Sequence, residues 1–120
     1  MATALHRFVL LHHTGIPDPH FDLMIETTPG GSLMTWRCAV DPFVSEQSEA
    51  EKIQDHRAAY LTLECEISGG RGQVRRICDG AGLINSLDDN GGFELSPVDM
   101  AAITLRPTAG EKWRIGCRVK

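Results

Sequence analysis

The residues best suited to chemistry form one short stretch near the N-terminus, His20-Phe-Asp-Leu-Met-Ile-Glu26. In an extended strand successive side chains point to opposite faces, so His20 and Asp22 share one face. An imidazole and a carboxylate held side by side in this way can share one divalent metal ion. The same His-x-Asp spacing also occurs as an ordinary hydrogen-bonded pair, so a metal site requires a third ligand.

Candidates for that ligand are His12 and His13, at the end of the preceding predicted strand. The loop Thr14–Pro19 can fold back and bring one of them close to His20 and Asp22. Three imidazole or carboxylate groups would then converge on a single cation.

A second polar cluster, Asp55-His56 followed by Tyr60, precedes another predicted strand. A neighbouring aspartate can orient an imidazole and make it more basic, which suits proton transfer or contact with a phosphoryl oxygen. The alternative interpretation is a plain surface turn.

The elements that must position these residues are short strands. Glycine and proline divide the chain into runs of strand length, and the alternation of apolar and polar residues predicts strands near 7–12, 20–26, 33–39, 60–67, 72–78, 81–86, 92–95, 101–106 and 112–119. Residues 45–54 are rich in Glu and Gln and favour either a helix capped by Ser45 or a mobile acidic loop.

This pattern predicts a mainly β fold, a small antiparallel β-barrel with one short helix or loop crossing, and a single domain over residues 1–120. A barrel is favoured over a sandwich because closure removes the unpaired edges that so many short strands would otherwise leave. A chain of this length can bury one hydrophobic core without disulfides.

Composition restricts the class of protein. The net charge of -4 gives no general sign of nucleic-acid binding, but residues 106–120 hold five Lys or Arg and one acidic residue. Such a basic strand fits either an anionic ligand on one face or a solubilising stripe. The four cysteines form no Cys-x-x-Cys pair, which excludes zinc-ribbon chemistry. We find no secretory signal and no membrane span, so a reduced, soluble, cytoplasmic protein is expected.

Taken in order, the motifs resemble the 3′-phosphoesterase domain of bacterial DNA ligase D, especially its short stand-alone relatives. That family shows Arg-Phe-Val, a histidine, His-aromatic-Asp-x-Arg-x-Glu, Ser/Thr-Trp, and Glu-Asp-His with a tyrosine four residues on. The corresponding residues in this chain are Arg7-Phe8-Val9, His13, His20–Glu26, Thr35-Trp36, Asp55-His56 and Tyr60. The resemblance covers roughly residues 6–80.

The resemblance implies a small β-barrel with a manganese-dependent activity that removes a 3′-phosphate or a terminal 3′-ribonucleotide from DNA. Its metal ligands would be His13, His20 and Asp22, with Mn²⁺ or another divalent ion as cofactor. His56 would contact the scissile phosphate and Tyr60 would support it. The expected partners are a DNA 3′ end or primer-template and a DNA ligase or repair complex, with no membrane.

Three positions depart from the family pattern: Met24 replaces an arginine, Val40 lies where a lysine is expected, and Gln54 replaces a glutamate. Lost charges weaken a phosphoryl-transfer site. Arg37 and Arg71 are the candidate phosphate-binding substitutes, and Arg75 and Arg76 are further cations within reach.

Two other functions stay open. The first is a nucleic-acid or protein binding module of the same fold without turnover. The second is a 2-His-1-carboxylate iron oxygenase that uses His20, Asp22 and His56.

Overall fold

A computed structural model of the 120-residue chain describes residues 4–61, 65–66, 72–87 and 90–117. These residues form nine strands: β1 His6–Thr14, β2 His20–Glu26, β3 Leu33–Cys38, β4 Gln47–His56, β5 Cys65–Glu66, β6 Gln73–Ser86, β7 Phe93–Pro97, β8 Ile103–Ala109 and β9 Lys112–Cys117. The one helix among them is a 3-10 turn, Ala58–Leu61. No helix in this part of the chain has the length and apolar character needed to cross a membrane.

Eight of the strands close into an antiparallel barrel in the order β1-β2-β3-β4-β9-β8-β7-β6, because β6 also pairs with β1. The short strand β5 extends the sheet beyond β6. The predicted mainly β fold and antiparallel barrel are therefore confirmed. All neighbouring strands pair antiparallel, so strands that follow each other in both chain and sheet need only short connections, whereas the chain from β4 to β5 must cross the sheet.

The barrel interior holds the main apolar core. Its fully buried side chains come from β1, β2, β3, β7, β8 and β9 and include Phe8, Leu10, Leu23, Ile25, Trp36, Leu95, Ile103, Leu105 and Ile115. They are the alternate residues of their strands, which is the pattern that a closed sheet requires. Trp36 also meets Trp113 edge-on, with ring centroids 5.4 Å apart.

A second, smaller apolar cluster lies on the outer face of the sheet. It consists of Val9, Leu11, Met24, Leu33, Leu61 and Val74, with Tyr60 packed against it. Leu61 and Tyr60 belong to the 3-10 turn, so the chain after β4 crosses over this face and covers it. A strand whose two faces are both buried has a strongly specified register.

The interpretation of residues 45–54 as a helix or mobile loop is wrong, since Gln47–His56 form the long strand β4. Ser48 and Ala50 point inward and are buried, whereas Glu49 and Glu51 are exposed. Because the inward residues are small and one is polar, the segment does not show the alternation of large apolar and polar residues that predicts a strand. Ladders with β3 and β9 on both sides override the helix propensity of this segment.

Two other boundaries differ from the predictions. The predicted strand 60–67 begins too early, since Tyr60 and Leu61 lie in the 3-10 turn. Its residues 65–66 form β5, and residues 62–64 and 67 lie outside the described part of the chain. The predicted strands 72–78 and 81–86 are one continuous strand, β6, which runs through Gly80 and Gly82. These glycines do not break the strand but let neighbouring groups approach its backbone closely. A Cβ on Gly82 would stand 2.5 Å from the carbonyl oxygen of Ser96 in β7. A Cβ on Gly80 would stand 3.3 Å from the Phe8 ring.

We expect Gly82→Ala to lower the free energy of unfolding by about 1–3 kcal/mol, because the backbone of β7 must move to admit the methyl group. Gly80→Ala is the matched variant in the same strand, and it should cost less because its neighbour is a ring edge. Urea denaturation of both variants tests the order. An equal or reversed loss would contradict the close approach of β6 and β7.

The described cysteine side chains, Cys38, Cys78 and Cys117, are free thiols. Burial raises the pKa of Cys38 to about 12 and that of Cys78 to about 11, and it also raises the pKa of Cys117. These thiols are therefore protonated at neutral pH, as expected for cysteines that serve as small hydrophobes.

The buried Cys38 thiol should make stability depend on alkaline pH. In the unfolded chain it ionises above about pH 9, while in the folded protein it stays neutral to about 12. The unfolded state then binds fewer protons, and the free energy of unfolding falls by up to about 1.4 kcal/mol per pH unit in that window. Urea titrations between pH 8 and 10.5 should show a shallower decline for Cys38→Ala. Identical slopes would show that Cys38 does not contribute.

Candidate metal centre

The pairing of β1 with β2 builds the site. His13 lies directly opposite His20, and Leu11 lies opposite Asp22. Residues opposite each other in an antiparallel pair present their side chains on the same face. The two imidazoles and the carboxylate therefore share the outer face at one end of the strand pair, as the resemblance implies.

The three side chains converge closely enough to hold one ion. One potential ligand atom from each of His13, His20 and Asp22 lies within 4.8 Å of the others. The two imidazole rings meet edge-on with centroids 5.2 Å apart. His20 Nε2 is 3.4 Å from Asp22 Oδ2. Side chains spaced in this way fit around a cation with ligand bonds of about 2 Å.

Hydrogen bonding orients His20 for this role. Its Nδ1 lies 2.8 Å from the carbonyl oxygen of Asp18, a group that only accepts, so Nδ1–H is the donor. In the neutral ring this leaves the Nε2 lone pair directed at Asp22 and available to a metal. A backbone carbonyl that fixes the tautomer is the usual outer partner of a metal-binding histidine.

Two buried polar atoms at this point lack hydrogen-bond partners, His20 Nε2 and Asp22 Oδ1. Both side chains are at least nine-tenths buried, with exposed fractions of 8% and 10%. Buried polar groups are normally satisfied, and leaving them without partners destabilises the fold. A bound cation would satisfy both atoms.

Arg37 supplies positive charge beside the carboxylate. It lies opposite Asp22 in the pairing of β2 with β3, and its Nε stands 3.6 Å from Asp22 Oδ1. That distance is an ion pair but not a hydrogen bond. The Arg37 side chain is 43% exposed, so its guanidinium can also reach a ligand in solvent.

His56 and Tyr60 form their own cluster. The rings meet edge-on at 5.1 Å, and His56 Nδ1 donates to the carbonyl oxygen of Gln54 over 3.1 Å. His56 pairs with Leu33, which pairs with Glu26, so it lies two strands across from β2. Along the strand direction it is four residues, or about 13 Å, from Asp22. The structure does not place His56 with the three candidate ligands.

The remaining predicted residues have separate positions. His12 stacks on Phe21 with centroids 4.1 Å apart, on the opposite face from His13, so His13 is the histidine that joins the site. Met24 is buried in the outer apolar cluster, and Val40 is exposed. Arg71 lies outside the described residues.

Sequence reasoning missed the role of Glu26. It shares the polar face of His20 and Asp22, but Arg7 grips its carboxylate with two hydrogen bonds of 2.9 and 3.2 Å, and the Gly30 amide donates a third. The hydrogen bond from Arg7 lowers the pKa of Glu26. Glu26 is thus an anchored structural carboxylate. Arg7 could be seen in the sequence, but only the pairing of β1 with β2 shows that it forms an ion pair with Glu26.

No family model matches the chain, and a search of curated proteins finds no significant relative. The chemistry of the site is therefore argued from its geometry. Two imidazoles and one carboxylate suit Mn²⁺, Fe²⁺ or Zn²⁺, and three protein ligands leave coordination positions for water or substrate.

Divalent metal should stabilise the fold through these ligands. We expect Mn²⁺ to raise the melting temperature of the wild-type protein, by the equivalent of about 2.7 kcal/mol at a hundred times the dissociation constant. His13→Ala and Asp22→Asn should lose the shift. His12→Ala, which removes the neighbouring imidazole on the other face, should keep it.

Differential scanning fluorimetry with Mn²⁺, Zn²⁺ and anaerobic Fe²⁺ measures these shifts. A loss of the shift in His12→Ala equal to that in His13→Ala would contradict the assignment. So would a wild-type protein that responds to none of the three ions.

Proposed function

We propose that the protein is a metal-dependent phosphoesterase that acts on nucleic-acid 3′ ends and removes a 3′-phosphate or a terminal 3′-ribonucleotide. One observation carries the proposal: His13, His20 and Asp22 lie within ligand distance of one another, and two of their buried polar atoms lack hydrogen-bond partners. The order of motifs that resembles the DNA ligase D phosphoesterase domain gives the reaction class.

Mn²⁺ or another divalent ion, when bound, would neutralise phosphate charge and lower the pKa of a coordinated water. The chain itself supplies the shape of the site. Asp18 fixes the orientation of His20, and the burial of His20 and Asp22 keeps their geometry rigid. Rigid placement of this kind is what an efficient phosphoryl-transfer site requires.

Arg37 would bind the phosphoryl group of the substrate. Its guanidinium already stands 3.6 Å from Asp22 and remains partly exposed. A guanidinium presents a planar pair of N–H donors that matches two phosphate oxygens. Because Arg37 lies on the neighbouring strand, it can stabilise negative charge on a phosphate oxygen that does not bind the metal.

His56 and Tyr60 would contact the substrate at a different point. A substrate that touches both the candidate centre and His56 must therefore span about 13 Å along the strands and pass outside the 3-10 turn that covers the outer apolar cluster. An oligonucleotide is long enough for this. The resemblance implies a contact of His56 with the scissile phosphate, but in this geometry His56 would instead meet a part of the substrate away from the candidate centre.

One observation favours a second candidate, a binding module without turnover. Met24 is fully buried in the outer apolar cluster, so no cation can project from that position into the site. The iron oxygenase has less support, because the described residues group His13 rather than His56 with His20 and Asp22.

The test uses the full chain with a 3′-phosphorylated DNA primer annealed to a template and Mn²⁺. We expect release of inorganic phosphate, which a colorimetric assay measures. His20→Ala and Asp22→Asn should reduce the rate at least about 100-fold, since each removes a ligand. His12→Ala should retain most of the activity.

Primers ending in 3′-phosphate or in one ribonucleotide, on DNA and on RNA, together with a small phosphate ester, define the substrate. A folded, metal-loaded protein that hydrolyses none of them overturns the proposal. Salt-sensitive binding of the primer without hydrolysis would instead favour the binding module.

A further inference from the structure

Two consecutive arginines on β6, Arg75 and Arg76, have different positions relative to the candidate centre. Arg76 pairs with Leu11 of β1, and Arg75 pairs with His12. Leu11 lies opposite Asp22, so Arg76 shares the outer face with the candidate metal ligands. Arg75 belongs to the opposite face, where His12 stacks on Phe21.

A β-bulge decides which arginine faces the site. Leu10 pairs with Cys78 and Leu11 pairs with Arg76, so Ile77 is an extra residue in β6. Cys78 must face inward because it packs against the barrel core. In a regular strand Ile77 would then lie opposite Leu11, and Arg76 would take the inner face. The extra residue moves Arg76 to the face of the metal ligands, as bulges beside functional sites often do.

The outer face consequently carries a row of opposing residues: Arg76 on β6, Leu11 on β1, Asp22 on β2 and Arg37 on β3. The two arginines flank the carboxylate ligand from opposite sides. Arg76 lies two strand spacings, or about 10 Å, from Asp22, and Leu11 between them is fully buried in the outer apolar cluster.

We propose that Arg76 is a second phosphate-binding residue of this site and grips the terminal phosphate of the substrate from the side opposite Arg37. The inference rests on the proposed function. Two guanidinium groups and a divalent cation around one phosphoryl group stabilise the charge that develops on its oxygens. Arg76 supplies a cation that the buried, apolar Met24 does not provide.

The experiment compares Arg76→Gln with Arg75→Gln, which make the same change of charge at adjacent positions on opposite faces. Fluorescence anisotropy measures binding of primers ending in 3′-phosphate or 3′-hydroxyl in the presence of Mn²⁺. Wild type should prefer the 3′-phosphate. Arg76→Gln should lose that preference by about 10- to 100-fold, and Arg75→Gln should keep it.

Kinetics and metal binding separate this role from a structural one. In Arg76→Gln we expect kcat/KM for phosphate release to fall about 10- to 100-fold, while the Mn²⁺-induced rise in melting temperature stays unchanged. Arg76→Lys, which keeps the charge but not the planar fork, should fall between Arg76→Gln and wild type. It also serves as the variant of choice if Arg76→Gln does not fold.

The outcomes separate the two proposals. If wild type hydrolyses the primer and Arg76→Gln matches Arg75→Gln in both assays, Arg76 is not a phosphate-binding residue and the proposed function stands. If wild type neither hydrolyses the primer nor prefers the 3′-phosphate, the proposed function fails and the role of Arg76 fails with it.

Discussion

The register between β1 and β2 is the constraint on which the candidate centre depends. A slip of one residue would turn His13 to the opposite face from His20 and Asp22. The slip is opposed on both sides of the strand pair. Phe8 and Leu10 face the barrel core, while Val9 and Leu11 face the outer cluster beneath the 3-10 turn, and all four are fully buried. Apolar burial on two faces thus fixes the position of the polar groups.

The same burial makes the site costly for the folded protein. His20 and Asp22 are enclosed by neighbouring side chains, and each holds a polar atom without a hydrogen-bond partner. Unsatisfied buried groups usually mark strain, function or a missing ion. A bound cation would convert this local cost into stabilisation, and it would couple metal binding to the stability of the barrel.

Charge is arranged asymmetrically around the outer face. The chain carries a net charge of -4, yet Arg37 and Arg76 lie in the row that contains Asp22. The nearby carboxylate of Glu26 is already neutralised by Arg7. Local potential at a site is set by the groups that surround it rather than by the total charge, so an acidic protein can still present an anion-binding face.

The amino-acid sequence alone determined the strand-rich pattern, the shared face of His20 and Asp22, and the apolar face of Phe21, Leu23 and Ile25. These follow from alternation along single strands, which is a local property of the chain. The resemblance to a family singled out His13 over His12, and the register agrees.

Only the tertiary structure decided the rest. Residues 47–56 became a strand because β3 and β9 offer ladders on both sides, although their composition favours a helix. Arg76 faces the site because an extra residue shifts the phase of β6, and His56 lies far along the sheet because of the way β4 pairs with β3. Strand pairing and bulges depend on residues distant in sequence, so no local pattern encodes them.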